Sequence, residues 1–365
     1  MKHLLLCLLA LFLVSPAAAA QGKLVTIPED HPSPALRKAV RAALALESEP
    51  LHLHLGKLAP EGAVLLDIES EEWLWDGELE RRMLAAEAIQ LSGGTLLEWY
   101  DALLARRERV RFVAALYDAL RAGTHLVGVG GAAAFLSRGT SIPREELIVR
   151  PDSRPRNPRA SGEFSAVTGM GLGPPGYIDS AAFERGTRTR WLRALETTKI
   201  DVGWWFAPDS ALLYDFQAGR VTVLGPGQVE LLELRGVRRK RTGTFGARLS
   251  VLAAGDSWDR KQRRLQLPGG TRSPGRRADG EPASEFTVAA ALARTEHLFP
   301  GRGPADQPQP RAWAVLTSDQ NTLWTGPDDA PRPVRVHLDW HHPLTIERIV
   351  PESRKEVAAP AEDSR

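Results

Sequence analysis

Beyond its seventh position the chain contains no cysteine. Cys7 is the single one among 365 residues, so the rest has no thiol nucleophile, no disulfide and no cysteine-held metal. A chain this long buries enough apolar surface to fold without cross-links. A charge excess is missing too: 47 Lys and Arg against 45 Asp and Glu give a formal net charge of +2. That offers no broad field for nucleic acid, and the basic run Arg238-Arg239-Lys240-Arg241 reads as a solvated loop. There is no internal repeat. The apolar run Leu4 to Val14 is too short to span a bilayer comfortably.

That run reads instead as the core of a secretory signal over residues 1–20, with Lys2 before it and Ala18-Ala19-Ala20 as the small-residue cleavage site. Cys7 lies inside the signal, not after it, which argues against lipidation. The expected location is periplasmic or secreted, with no stable membrane anchor after cleavage.

From residue 21 the pattern alternates. Strands are predicted over 24–27, 63–68, 88–92 and 124–129, and helices over 34–46, 78–87, 96–104 and 111–121, with another starting at Ala132. Such alternation predicts an α/β fold with a mostly parallel sheet covered on both faces. Residues 151–165 read as a loop and 181–196 as a helix. From Gly203 to Leu234 the chain turns β-like. Residues 261–310, rich in Pro, Gly and Arg, read as a flexible insertion. Residues 311–350 form a β-rich C-terminal extension, and 351–365 a polar tail. The main α/β domain is expected over 21–260.

The most informative stretch is Leu126-Val127-Gly128-Val129-Gly130-Gly131-Ala132-Ala133-Ala134. An apolar strand runs into two glycines and then a helix. Many hydrolases place their nucleophile at such a corner, in the pattern Gly-x-Ser-x-Gly. Here the corner is present and the hydroxyl is absent: Gly130 stands in the serine slot.

Four segments together resemble the cyanophycinase-like serine exopeptidases, whose fold is close to class I glutamine amidotransferases. Ala88 to Thr95 resembles a family strand ending in Gly-Gly-Asp. Gly128 to Ala134 resembles the nucleophile corner. Gly171-Leu172-Gly173 followed by Ile178 to Gly186 resembles the segment bearing the catalytic histidine. Gly203 to Leu212 with Gly219 to Gly225 resembles the following strand pair, and Leu252 to Asp259 fits a Leu-x-x-Gly-Asp pattern. The likeness covers roughly residues 85–260. It implies a three-layer α/β/α sandwich and a serine–histidine–acid mechanism. It also implies that the serine has become Gly130, the histidine Ala181 and the acid a residue near Ala207, with Asp209 adjacent. Thr95 replaces the acid of Gly-Gly-Asp. This describes a catalytically inactive relative that binds a peptide, acidic ligand or protein partner. Gly93, Gly94, Thr95, Gly130 and Gly131 would form the ligand-binding backbone, with Gly130 and Gly131 offering N–H groups to an anion. A homodimer is expected from the resemblance. No cofactor, metal or nucleic acid is expected.

Other readings compete. Ser180 beside Asp179, or Asp209, would serve a displaced hydrolase site. Gly128-x-Gly130-x-x-Ala133, with Asp152 downstream, fits a dinucleotide-binding oxidoreductase. His52 and His54 alternate on a strand, as do His337, Asp339 and His341 with His342 adjacent. They suggest zinc or, more plainly, polar groups on the wet face of an edge strand. Ser92 and Ser137 read as leftover hydroxyls, Ser137 as a packing or surface group two turns into its helix. Trp204-Trp205-Phe206 reads as core, or as a plug for the emptied pocket.

Overall fold

The computed structural model describes residues 21–137 apart from 68, 69, 71, 72, 74, 75 and 104–109. It then describes 169–180 and 200–268 apart from 241–242, the short strands named below, and residues 191, 195 and 198. Strands β1 (Lys23–Ile27), β2 (Leu51–Gly56), β3 (Val64–Asp67), β4 (Ala88–Gly93) and β5 (His125–Val129) alternate with helices α1 (Pro34–Leu44), α2 (Gly77–Ala85), α3 (Leu96–Leu103), α4 (Val110–Ala122) and α5 (Gly131–Leu136). Short strands β6 (Thr140–Pro143), β7 (Arg159–Ser161) and β8 (Phe164–Val167) form a small antiparallel sheet. The segment read as a loop over 151–165 thus ends in strands. Next come β9 (Tyr177–Ser180), β10 (Val202–Phe206), β11 (Ala211–Asp215), β12 (Arg220–Leu224), β13 (Val229–Glu233), β14 (Arg238–Lys240), β15 (Gly243–Leu252), β16 (Ser257–Asp259) and β17 (Arg264–Gln266). Last are β18 (Trp313–Thr317), the pair β19 (Leu323–Thr325) and β20 (Arg332–Val334), and β21 (Val336–His341).

The protein is mixed α/β. Its main sheet runs β17-β16-β12-β11-β1-β5-β4-β2-β3. The five strands from β3 to β1 are mutually parallel, and the four on the other side are antiparallel. The sheet is therefore less parallel than expected, because the β-like stretch after residue 203 contributes β11 and β12 to it by tight antiparallel returns. The flanking strands β10 and β13 enter a second sheet, ordered β18-β21-β15-β13-β10-β9 with β14 beside β15. The C-terminal strands β18 and β21 extend that sheet by pairing with each other and with β15.

Alternation along β1 sorts its residues between two cores. Val25 and Ile27 face α1 with Val127, Val129 and Leu213, against Leu36, Val40 and Leu44 of the helix. Helix α1 starts cleanly: Ser33 Oγ accepts from the Leu36 N–H at 3.2 Å, and Pro34 takes the first turn. On the other face Leu24, Leu53, Leu55, Leu66, Ile89, Leu91 and Leu126 meet α2 to α5 and the second sheet. Trp204 and Phe206 belong to this core. Trp204 donates its indole N–H to the Pro175 carbonyl at 2.9 Å and meets Trp258 edge-on, while Trp205 packs on Trp191. All three aromatics are buried, so Trp204-Trp205-Phe206 is core packing rather than a plug.

Thr26 is fully buried, and its hydroxyl has no hydrogen-bond partner among the described residues. An unsatisfied buried hydroxyl is costly, and valine has the same shape without it. Thr26→Val is expected to raise the unfolding free energy by about 1 kcal/mol, read as a higher urea midpoint at unchanged slope.

Candidate functional site

The corner after β5 turns sharply at a glycine. Gly130 has φ 60° and ψ −129° and caps α5. Such a conformation is cheap for glycine and strained for other residues. Its N–H donates to the Ile27 carbonyl at 2.9 Å, which ties the corner to the end of β1. What fills the position of the missing side chain is Asp30. A Cβ placed on Gly130 would lie 1.7 Å from Asp30 Oδ1. The chain's own carboxylate thus occupies the space beside Gly130 where a side chain would begin. The first-turn N–H groups of the helix favour a negative group here.

Asp30 is delivered by a clamped loop. Asp209 donates its N–H to Glu29 Oε1 at 3.0 Å and accepts from the Ser33 N–H through Oδ1 at 3.2 Å. Asp209 therefore brackets Asp30 on both sides. Its carboxylate serves as a loop clamp, and Asp209 itself is in a left-handed conformation, φ 56°.

The two glycine pairs meet. A Cβ on Gly131 would lie 2.2 Å from the Gly94 carbonyl oxygen, so only glycine permits the approach. Thr95 then starts α3 with a reciprocal pair: its N–H donates to Glu98 Oε2 at 2.7 Å, and its Oγ1 accepts from the Glu98 N–H at 3.2 Å. The Gly171-Leu172-Gly173 segment closes the far end of α5. The N–H groups of Leu172 and Gly173 donate to the Leu136 carbonyl, and that of Gly171 to Ser137. Ser137 is the C-cap of this six-residue helix, fully buried, with its hydroxyl donating to the Ala134 carbonyl at 2.6 Å. It sits at the helix end rather than on a surface, because the glycine segment stops α5 at Leu136.

Sequence reasoning missed the arrangement beside this corner. His52 and His54 lie on β2, an interior strand between β3 and β4 rather than an edge. They stand directly opposite Gln90 and Ser92 of β4. Ser92 Oγ is 2.5 Å from His52 Nε2 and 2.9 Å from His54 Nδ1, and Gln90 Nε2 is 3.3 Å from His52 Nε2. A Cβ on Gly93 would collide with the His54 ring, at 2.5 Å from Cε1, so this glycine makes room for the imidazole.

These groups line a cavity of about 710 Å³ together with Asp30, Arg37, Val40, Val127 and Val129. That is the size of a small-molecule site. It exists because α1 covers β1 and β5 but leaves the same face of β4 and β2 open beside it. Burial pushes the His52 imidazole below its ordinary value, and the neighbouring His54 adds to this. Burial also lowers His54, opposed by the Asp30 carboxylate. Both rings are therefore biased toward the neutral form, able to accept a proton.

The other expected residues fall elsewhere. Ala181 lies outside the described residues, as do Asp152 and His342. Ser180 ends β9 in the second sheet, beside Phe206 of β10. Ala207 follows β10 and donates its N–H to the Gln228 carbonyl. The side chains of His337, Asp339 and His341 on β21 lie outside those described. Among the described residues no group of three or more His, Cys, Asp or Glu side chains is placed to hold a metal ion. None of their helices is long and apolar enough to cross a membrane. A dinucleotide pyrophosphate at Gly128-x-Gly130 would meet the Asp30 carboxylate, a like charge.

No protein-family model matches the chain, and no curated protein matches it. Among solved structures, a crystal structure of a peptidase from an acI-B1 Actinobacterium is similar at 16% identity and a TM-score of 0.42. The likeness covers 66% of this chain and 98% of that one.

Two outcomes follow from this geometry. Gly130→Ala combines a strained conformation with overlap on Asp30, so a loss of about 3 kcal/mol is expected. Adding Asp30→Gly should restore part of it, visible as non-additive urea unfolding energies. Titration gives the second. His52, His54 and His125 are all lowered in the fold, chiefly by burial, from an ordinary value of 6.5. As pH falls below that value the unfolded chain takes up protons first. Stability is then full above about pH 6.5 and declines below it. The decline should be smaller in His52→Gln/His54→Gln, measured as denaturation midpoints between pH 7.5 and 5.

Proposed function

We propose that the protein is an exported, peptidase-like relative of the cyanophycinase line that has lost chemistry at its nucleophile corner and binds a small peptide or acidic ligand in the adjacent cavity. The carrying observation is Gly130: it keeps a corner backbone, lacks a side chain, and has the Asp30 carboxylate in the place of one. Support also comes from the contact between segments the resemblance singled out. The Gly93-Gly94 turn touches Gly131, and Gly171 to Gly173 closes the same helix. The signal-like residues 1–20, with their short apolar core Leu4 to Val14, support export.

The cavity suits a ligand of mixed character. Ile27, Val40, Val127 and Val129 give it an apolar wall, and Arg37 offers a cation. Asp30 and Glu98 place negative charge at the glycine end. A peptide carboxylate is expected toward Arg37 and away from Asp30.

The reading is tested by thermal-shift titration with dipeptides bearing free carboxylates. Binding should raise the midpoint with concentration, and Arg37→Glu should weaken it at least tenfold. A flat response to every acidic dipeptide, or a response indifferent to Arg37→Glu, would remove the proposal.

A further inference from the structure

The cavity holds a hydroxyl that the corner reading leaves unused. Ser92 is 7% exposed and stands between two imidazoles. One tautomer of this group sets a base beside the hydroxyl. With the Gln90 amide nitrogen turned to it at 3.3 Å, the compatible His52 tautomer leaves Nε2 as an acceptor. The Ser92 hydroxyl then donates to that same nitrogen, across the shorter of its two contacts. Its oxygen is left to accept from His54 Nδ1–H. The chain His54 to Ser92 to His52 is directional. It draws the serine proton toward a base while a second donor supports the oxygen it leaves.

This is the nucleophile–base logic of covalent catalysis, set on two paired strands rather than on the corner. The partners are cross-strand neighbours in fixed register, His54 opposite Ser92 and His52 opposite Gln90. Their side chains share one face because residues two apart along a strand do. The Asp30 carboxylate acts on His54 from the corner side. Beside Ser92 the cavity offers the apolar side chains of Val127 and Val129.

We propose that Ser92 is a displaced nucleophile with His52 as its base, accepting acyl groups from small carboxylic esters with apolar acyl chains. Ser92 Oγ forms a bond to the ester carbonyl carbon as its proton passes to His52 Nε2. The ester C–O bond breaks, and the leaving alkoxide takes that proton from His52. Water then attacks the acyl-serine and gives a proton to His52, which returns it to Ser92 as the acid departs. Ester and water become acid and alcohol, with no other reactant needed. The inference rests on the reading of this cavity as the ligand site and does not need the corner.

The test is reaction of the full chain with a biotinylated fluorophosphonate, mapped by mass spectrometry. A single adduct on Ser92 is expected, absent in Ser92→Ala and formed at least about 100-fold more slowly in His52→Gln. Release of p-nitrophenol from p-nitrophenyl butyrate should fall in the same two variants. If the folded protein, still binding acidic dipeptides in an Arg37-dependent way, carries no adduct on Ser92, the nucleophile is overturned and the binding proposal stands. Labelling of Ser92 without any dipeptide binding would support the nucleophile and remove the binding proposal. An adduct on another serine, or equal rates in His52→Gln, would also overturn it.

Discussion

The site depends on one close approach of backbones. Two adjacent parallel strands, β4 and β5, end in glycine pairs, and Gly131 sits where its Cβ would overlap the Gly94 carbonyl. Any side chain at 131 would push α5 off the β4–α3 turn. With glycine there, the end of β4 and the start of α5 share one corner. That contact sets Ser92, the last side chain of β4, within one cavity with the Asp30 carboxylate beside Gly130. The positive φ values of Gly93, Gly94 and Gly130 belong to the same corner. Each lets the chain turn sharply where a side chain would strain it.

Coverage of the sheet explains why polar groups gather there. One face of the parallel half is closed by four helices and is mostly leucine and isoleucine, with the buried Thr26 among them. Among the described residues the other face has only α1, which reaches β1 and β5 through Leu36, Val40 and Leu44. Beyond it, β4 and β2 offer Gln90, Ser92, His52 and His54 on the same face. Half-buried imidazoles need partners, since an unpaired buried polar group costs roughly 1–3 kcal/mol. Ser92 satisfies both rings with one oxygen. Such a three-member group is stable only in fixed register, and the β2–β4 pairing supplies it.

Much of the fold was legible because it is local. The strands before Gly93 and Gly130, and helices α1 to α4, follow from apolar periodicity and from signals such as Ser33-Pro34. The sharp corner was legible too, as a strand–glycine–helix motif. The division of β10 to β13 between two sheets was not, because alternation gives a strand's faces and not its neighbours. The serine–imidazole group escaped for the same reason. His52, His54 and Ser92 each stood out, but 38 residues separate His54 from Ser92, and only the register joins them. One usable signal existed: His-x-His and Gln-x-Ser each alternate polar with leucine, which marks two strands with one polar face.

Asp30 decides how charge is distributed along the cavity. In an active corner, first-turn N–H groups face a developing negative charge on the substrate. Here the Asp30 carboxylate lies beside Gly130, on a loop that the Asp209 clamp holds on either side of it. A ligand anion at that end would meet like charge. The same carboxylate acts on His54 in the opposite sense, favouring its charged form against burial. The side chain beside Gly130 therefore raises the proton affinity of the imidazole next to Ser92. A single aspartate borders both the corner and the serine–imidazole group, and the clamped loop between β1 and α1 carries it there.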